Sequence, residues 1–225
     1  MSKTLNIFRK IIYALVGAQL INELFWRFRH ITFKAPWAHS YLTNDSLNHQ
    51  HRKLVAQTIT EFAPIEHILE VGCASGPNLH VLREHLPHAT LYGTDISKHA
   101  VKTGTDHFKK NGDTNIHLSV QPAHKLHNFS DKSVDVVLSD AVMIYIDDTT
   151  IKKVLTEMVR VARKAIVLCE QASDGTTHQS VNFRHNYKKL LALIEPHAQV
   201  TYNKISSDVW GGQWGKHGYI IKIIL

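Results

Sequence analysis

Residues 67–96 read HILEVGCASGPNLHVLREHLPHATLYGTDI, and this block decides the architecture. His67–Val71 has the length and apolar composition of a buried strand. It runs into the turn Gly72-Cys73-Ala74-Ser75-Gly76; Pro77 then opens a helical pattern over Asn78–His85, and Thr90–Ile96 is a second strand carrying Asp95 near its end. Two strands joined by a helical crossover lie parallel in one sheet, with a right-handed connection. Glycines at the carboxyl end of a strand let the backbone come close to a ligand and adopt angles that a side chain would forbid. The turn is therefore a ligand cradle.

The alternation continues outward. Ser46 is placed to cap a helix running through Phe62 and stopping before Pro64. Further strands are expected at Asn115–Gln121, Val134–Ala141 and Ala165–Glu170, with helices at Lys98–Lys110 and Thr149–Arg163. A helix near His185–Ile194 leads to two last strands, Gln199–Ser206 and Gly218–Leu225, joined too closely for a helical crossover, so they must pair antiparallel. The pattern predicts an α/β fold with a doubly wound, seven-stranded, mostly parallel sheet that ends in an antiparallel C-terminal hairpin. At 225 residues the chain suits one such domain over residues 36–225, preceded by an apolar helical extension over residues 1–35.

Hydrophobic residues make up 44% and charged residues 20%, with no biased tract, so the chain belongs with globular rather than disordered proteins. A net charge of +7 and 17 histidines favour an anionic partner. The basic pairs Lys109-Lys110, Lys152-Lys153 and Lys188-Lys189 are scattered over separate helix faces, which argues against a nucleic-acid surface. Cys73 and Cys169 form no disulfide framework, which fits a reducing, cytoplasmic compartment. The groups His49-x-His51 and His80/His85/His88 do not read as a metal site, because helix positions i and i+2 point apart and no cysteine or carboxylate completes a ligand set. No metal is expected.

Residues 5–28 repeat Leu5, Phe8, Ile12, Val16, Leu20, Leu24 and Phe28 at helical spacing. The uncharged run Ile11–Asn22 is 12 residues, short of the ~20 needed to span a bilayer. No small-x-small cleavage site follows it, which argues against a secretory leader. Arg9, Lys10, Arg27 and Arg29 flank the apolar stretch, and Tyr13 and Trp26 suit an interface. This segment is expected either to touch a membrane peripherally or to pack on the domain or on a second subunit, so the protein is a monomer or a homodimer.

The dinucleotide fingerprint G-x-G-x-x-G needs glycine where Ala74 and Pro77 stand, which argues against an oxidoreductase with a nicotinamide cofactor. Instead, ILEVGCASGPNL followed by LYGTDIS, with VDVVLSDAVMIYI and the terminal HGYIIKI, resembles class I S-adenosylmethionine-dependent methyltransferases across residues 45–225. The resemblance implies methyl transfer with S-adenosylmethionine as donor. It implies that Gly72, Cys73, Ala74 and Gly76 line the methionine end, that Glu70 helps hold it, and that Asp95 and Ile96 meet the ribose. Ala123 and His124 would contact adenine through backbone groups, and Ser139 would close the site at the end of the fourth strand. The sequence departs from the family pattern twice. Ala74 replaces a frequent glycine, at little cost if its backbone angles are ordinary. Gln121-Pro122-Ala123-His124 lacks the aspartate that often meets the adenine amino group.

The acceptor side is less marked. Tyr145, just beyond the fourth strand, and His51, as a base, are the candidate catalytic residues, while Tyr145, Trp210 and Trp214 are the candidate acceptor contacts, the tryptophans in the glycine-rich loop Ser207–His217. The Asn/Asp-Pro-Pro-Tyr box of DNA and protein-glutamine methylation is absent. The expected acceptor is a small or membrane-associated, lipid-like molecule; the alternative is a non-catalytic donor-binding module that regulates or scaffolds a partner.

Overall fold

The computed structural model describes residues 17–32, 36–175, 177–179 and 182–225. Among the described residues four helices precede the first strand: α1 (Ala18–Thr32), α2 (Trp37–Ser40), α3 (Asn44–Leu47) and α4 (Gln50–Thr60). There follow β1 (His67–Val71), α5 (Pro77–His85), β2 (Thr90–Asp95), α6 (Lys98–Lys110), β3 (Ile116–Val120) and β4 (Val134–Asp140). A 3-10 turn at Met143–Tyr145 leads into α7 (Asp148–Val161), β5 (Ala162–Gln171), β6 (Thr177–Gln179), β7 (Asn182–Arg184), α8 (Tyr187–Ile194), β8 (Gln199–Lys204), α9 (Gly212–His217) and β9 (Gly218–Ile224).

The large sheet has the order β3-β2-β1-β4-β5-β9-β8. β1 lies parallel to both β2 and β4, and β9 inserts antiparallel between β5 and β8. The seven-stranded, mostly parallel sheet with its terminal hairpin is thus as the sequence implies. Between β1 and β4 the chain leaves in opposite directions, and such a switch point opens a crevice at the carboxyl ends of the strands.

The central strands are buried along most of their length, with apolar residues through their middles, because both faces are covered. Ile68, Val136, Leu138 and Val167 point toward Val55 and Ile59 of α4 and Leu79 and Leu82 of α5. Leu69, Val137, Ile166 and Leu168 point the other way, against Ile151, Leu155 and Met158 of α7 and Leu191 of α8. Helix starts are set by local caps: Ser97 accepts from Ala100 N–H, Asp147 from Thr150 N–H and Asn186 from Lys189 N–H.

The structure corrects several sequence expectations. The helix expected from Ser46 through Phe62 is broken into α3 and α4, and the residue that caps α4 is His49, whose ring accepts from His51 N–H. His49 therefore sits outside the helix, and its ring meets that of His51 with centroids 4.5 Å apart, instead of pointing away as two helical positions would. A small two-stranded sheet, β6 with β7, stands where no strand was expected. The Ser207–His217 segment holds the short helix α9 rather than only a loop. Of the apolar segment 5–28, residues 5–16 lie outside the described residues, and the observed helix continues past residue 28 to Thr32.

Candidate active site

The cradle is built by backbone geometry. Gly72 and Gly76 have φ of 77° and 82°, and Gly72 N–H and Cys73 N–H both donate to Thr94 O at 2.7 and 2.9 Å. A methyl group on Gly72 would overlap the Val142 side chain. Ala74 also takes a positive φ, 49°, so the condition under which its replacement of glycine would cost little is not met. This conformation costs about 1 kcal/mol for a residue with a Cβ. It is retained because Ala74 N–H donates to Asp95 Oδ2 at 2.9 Å, while Ser97 N–H donates to Oδ1 at 2.7 Å. Burial pushes the Asp95 pKa up, and these amides oppose the rise. Asp95 thus clamps the turn to the end of β2, and each oxygen keeps a second lone pair for a ligand.

Above the turn lies a cavity of about 340 Å³ lined by residues from β1, β2, β4, α1 and α4. Its floor is a buried polar network. Asp140 Oδ2, at the end of β4, accepts from His51 Nε2 at 3.1 Å, Asn78 Nδ2 at 3.0 Å and Arg52 Nη1 at 3.4 Å. Arg52 Nη1 donates to Asn78 Oδ1 at 2.7 Å, its Nε donates to Ser46 O at 2.9 Å, and Asn78 Nδ2 donates to Glu70 Oε1 at 2.7 Å. Burial raises the Asp140 pKa, but His51, Arg52 and Asn78 outweigh it and hold the carboxyl well below its usual range. For Glu70 burial wins, and its pKa is pushed up to about 8.

Among the described residues, five cavity-lining groups keep buried polar atoms without a hydrogen-bond partner: Glu70 Oε2, Asp140 Oδ1, both Oε1 and Nε2 of Gln121, and the indole Nε1 of Trp26 and of Trp37. Buried polar atoms normally find partners, so these mark places for a ligand.

Of the residues singled out in the sequence, Glu70, Gly72, Cys73, Ala74, Asp95, Ile96, Ala123, His124, His51, Tyr145, Trp210 and Trp214 all line the cavity. Gly76 and Ser139 do not. Gly76 opens α5, where the Phe108 ring would come within 2.8 Å of an added Cβ, and Ser139 Oγ donates to Glu170 Oε1 at 3.2 Å. Glu170 also accepts from Val142 and Met143 N–H at 2.8 and 3.0 Å, so Ser139 acts by fixing the segment after β4 rather than by touching the cavity.

Both ring nitrogens of His51 are engaged: Nε2 faces Asp140, and Nδ1 lies 2.5 Å from His49 Nδ1. His51 is also covered by Trp210, centroids 4.1 Å apart, and Trp210 stacks on Trp214 at 4.0 Å. These tryptophans form one side wall with His51. Tyr145 lies edge-on to Trp26 of α1 at 5.0 Å, and burial raises its phenol pKa. Asn78, Asp140 and Gln121 have no assigned role in the sequence reading, and Trp26, read there as suited to an interface, lines the cavity instead. A polar residue at a strand's carboxyl end was the one available signal, and it marks Asp140 and Gln121 equally with many neutral positions.

A methyltransferase-domain model matches residues 64–221. Among solved structures, a SAM-dependent methyltransferase from Aquifex aeolicus is 17% identical, with a TM-score of 0.61 over 85% of this chain and 99% of that one. A magnesium protoporphyrin IX methyltransferase from Synechocystis with bound SAM is 14% identical, with a TM-score of 0.68 over 92% of this chain and 96% of that one. An uncharacterized Haemophilus influenzae protein is 24% identical over 159 residues, which span 70% of this chain and 60% of that relative's length. The matched segment runs from just before β1 into β9 and contains the glycine turn, Asp95 and Asp140. The chain belongs to the methyltransferase-domain family.

Proposed function

We propose that the protein transfers a methyl group from S-adenosylmethionine to a small-molecule or lipid-like acceptor in the cytoplasm. The observation that carries this reading is the set of unsatisfied buried atoms on Glu70, Asp140 and Gln121, arranged beside Gly72 and Asp95 at the carboxyl ends of the strands. Glu70 and Asp140 suit the cationic methionine end. The Gln121 amide offers one acceptor and one donor, the pair an adenine edge requires, in the region where the family's usual aspartate is missing. The Asp95 oxygens remain able to accept from ribose hydroxyls. Two buried free thiols, Cys73 and Cys169, support a reducing compartment.

The donor supplies a methyl already activated on a sulfonium, so the chain's own task is to orient the two molecules and exclude water, which confers a large effective concentration. Trp26, Tyr145, Trp210 and Trp214 wall the acceptor side with flat apolar surface. Tyr145, with its raised pKa, positions the acceptor and does not take a proton at neutral pH. His51, with both nitrogens engaged, serves first to hold Asp140 toward the cavity.

Titration calorimetry with S-adenosylmethionine and with its demethylated product is expected to show binding of both, and absence of binding to either would overturn the reading. Transfer of a radiolabelled methyl into metabolite or lipid extracts tests turnover, and tight binding without any transfer would point to the non-catalytic module instead. A further expectation concerns protons. At pH 7 Glu70 holds its proton in the free protein, and an ammonium set against Oε2 favours the carboxylate. Donor binding at pH 7 should therefore release a proton, seen as a binding enthalpy that changes with the ionisation enthalpy of the buffer, and Glu70→Gln should remove that dependence.

A further inference from the structure

Helix α1 is amphipathic in the wrong direction for a helix packed on a soluble domain. Its inner face toward the cavity carries Gln19, Asn22, Glu23 and Trp26. Two of these are fixed by hydrogen bonds to the segment after β4: Asn22 Nδ2 donates to Tyr145 O at 2.8 Å, and Gln19 Oε1 accepts from Asp147 N–H at 2.9 Å. The outer face carries a stripe of Leu20, Leu24, Phe28 and Ile31 at helical spacing, exposed by 46%, 45%, 44% and 68%. A globular surface helix normally turns such a stripe inward.

The charges flanking this stripe say what fits it. Within α1 the basic residues Arg27 and His30 are exposed, while Arg29 turns its guanidinium over the Trp26 and Trp37 rings at 4.7 and 4.8 Å; the one acid, Glu23, lines the cavity and accepts from Gln19 Nε2 at 3.2 Å. The 16 residues before the described part add Lys3, Arg9 and Lys10 with no Asp or Glu, among Leu5, Ile7, Phe8, Ile11, Ile12, Leu15 and Val16. A second copy docked through the same face would bring like charges together, and so would the chain's own first 16 residues folded back over it. An anionic surface has the opposite sign. Among the described residues no helix is long and apolar enough to cross a membrane, so contact with lipid through α1 lies in the plane of the interface.

We propose that the outer face of α1 docks on an anionic phospholipid bilayer, with its inner face roofing the acceptor cleft, so that the acceptor is a molecule dissolved in the bilayer and enters beside α1. The choice of acceptor rests on the methyl-transfer reading; the docking does not.

The test is flotation of the full chain with vesicles of phosphatidylcholine, alone or mixed with phosphatidylglycerol. The protein is expected to float with the mixed vesicles, to bind phosphatidylcholine alone much less, and to lose part of its binding as salt screens the basic residues. Leu24→Gln combined with Phe28→Gln is expected to lower partitioning by roughly tenfold or more, since each change removes an apolar side chain from lipid. Neither residue lines the cavity, so the affinity for S-adenosylmethionine in vesicle-free solution should stay as in the unaltered protein. Failure of the unaltered protein to float with mixed vesicles would overturn the docking, as would equal flotation of the double variant. So would a dimer of the unaltered protein that the double variant turns into a monomer, because a second copy would then cover the stripe. Donor binding without flotation removes the docking alone, while flotation without donor binding removes the methyl-transfer reading alone.

Discussion

Asp95→Ala is expected to weaken binding of S-adenosylmethionine by about 1–3 kcal/mol, roughly 5- to 150-fold in Kd. Two losses combine. The ribose hydroxyls lose a charged acceptor, and Ala74 N–H and Ser97 N–H lose the carboxylate that ties the turn to the end of β2. Released from that tie, Ala74 can leave its left-handed conformation, and the cradle formed with Gly72 shifts. Comparing the demethylated donor with its 2′-deoxy analogue separates the two losses. In the unaltered protein the missing hydroxyl should cost affinity, and in the variant the two ligands should bind alike, the outcome of a thermodynamic cycle between coupled groups. Equal affinity of both proteins for the donor would refute the ribose assignment.

Arg52→Met is expected to destabilise the fold by about 3 kcal/mol or more at neutral pH, as breaking a buried ion pair generally does. Asp140 has a side chain only 6% exposed and would keep its charge with His51 and Asn78 alone. The backbone carbonyl of Ser46 would lose its guanidinium donor as well. The sign with pH follows from the direction of the Asp140 shift. A carboxyl held below its ordinary 3.8 contributes stability above that value and loses it as pH falls through the folded pKa. Removing Arg52 raises the folded pKa, so the deficit is full at neutral pH and shrinks below about pH 4. Urea denaturation at several pH values measures this. Adding Asp140→Leu should recover part of the lost stability, because two apolar groups replace the pair, while donor binding stays weak. A pH-independent deficit would show that Arg52 contributes through packing rather than through Asp140.

Much of the glycine-turn side of the cavity is legible in the sequence because its determinants are local. A strand apolar on both faces, a turn with two glycines, a proline at the helix start and an acid 23 residues after Gly72 all lie within one βαβ unit, where spacing along the chain fixes spacing in space. Glu70, Gly72 and Asp95 stand out in the sequence for that reason, and the structure gathers all three along one cavity. Asp140 does not stand out, because its role comes from partners 89, 88 and 62 residues away, His51, Arg52 and Asn78. Gln121 was passed over for a related reason: an amide becomes informative only when burial shows that both its atoms lack partners. The pairing of His49 with His51 is hidden in the sequence because a helix capped at Ser46 would include both residues, whereas the observed helix begins at Gln50 and leaves His49 as its cap.

By itself the sequence determined the seven strands of the large sheet and the helices between its parallel strands, the position of the glycine turn and the antiparallel ending, since hydrophobic period and turn chemistry act between near neighbours. The tertiary structure decided the rest. It placed Ala74 at a positive φ through the hydrogen bond its N–H donates to Asp95 at the end of a different strand, and it assembled the Asp140 network across three elements. It also turned α1 so that its polar face meets Tyr145 and Asp147 and its apolar stripe faces outward. Periodicity shows that a helix has two faces; only the groups packed against it determine which one turns inward.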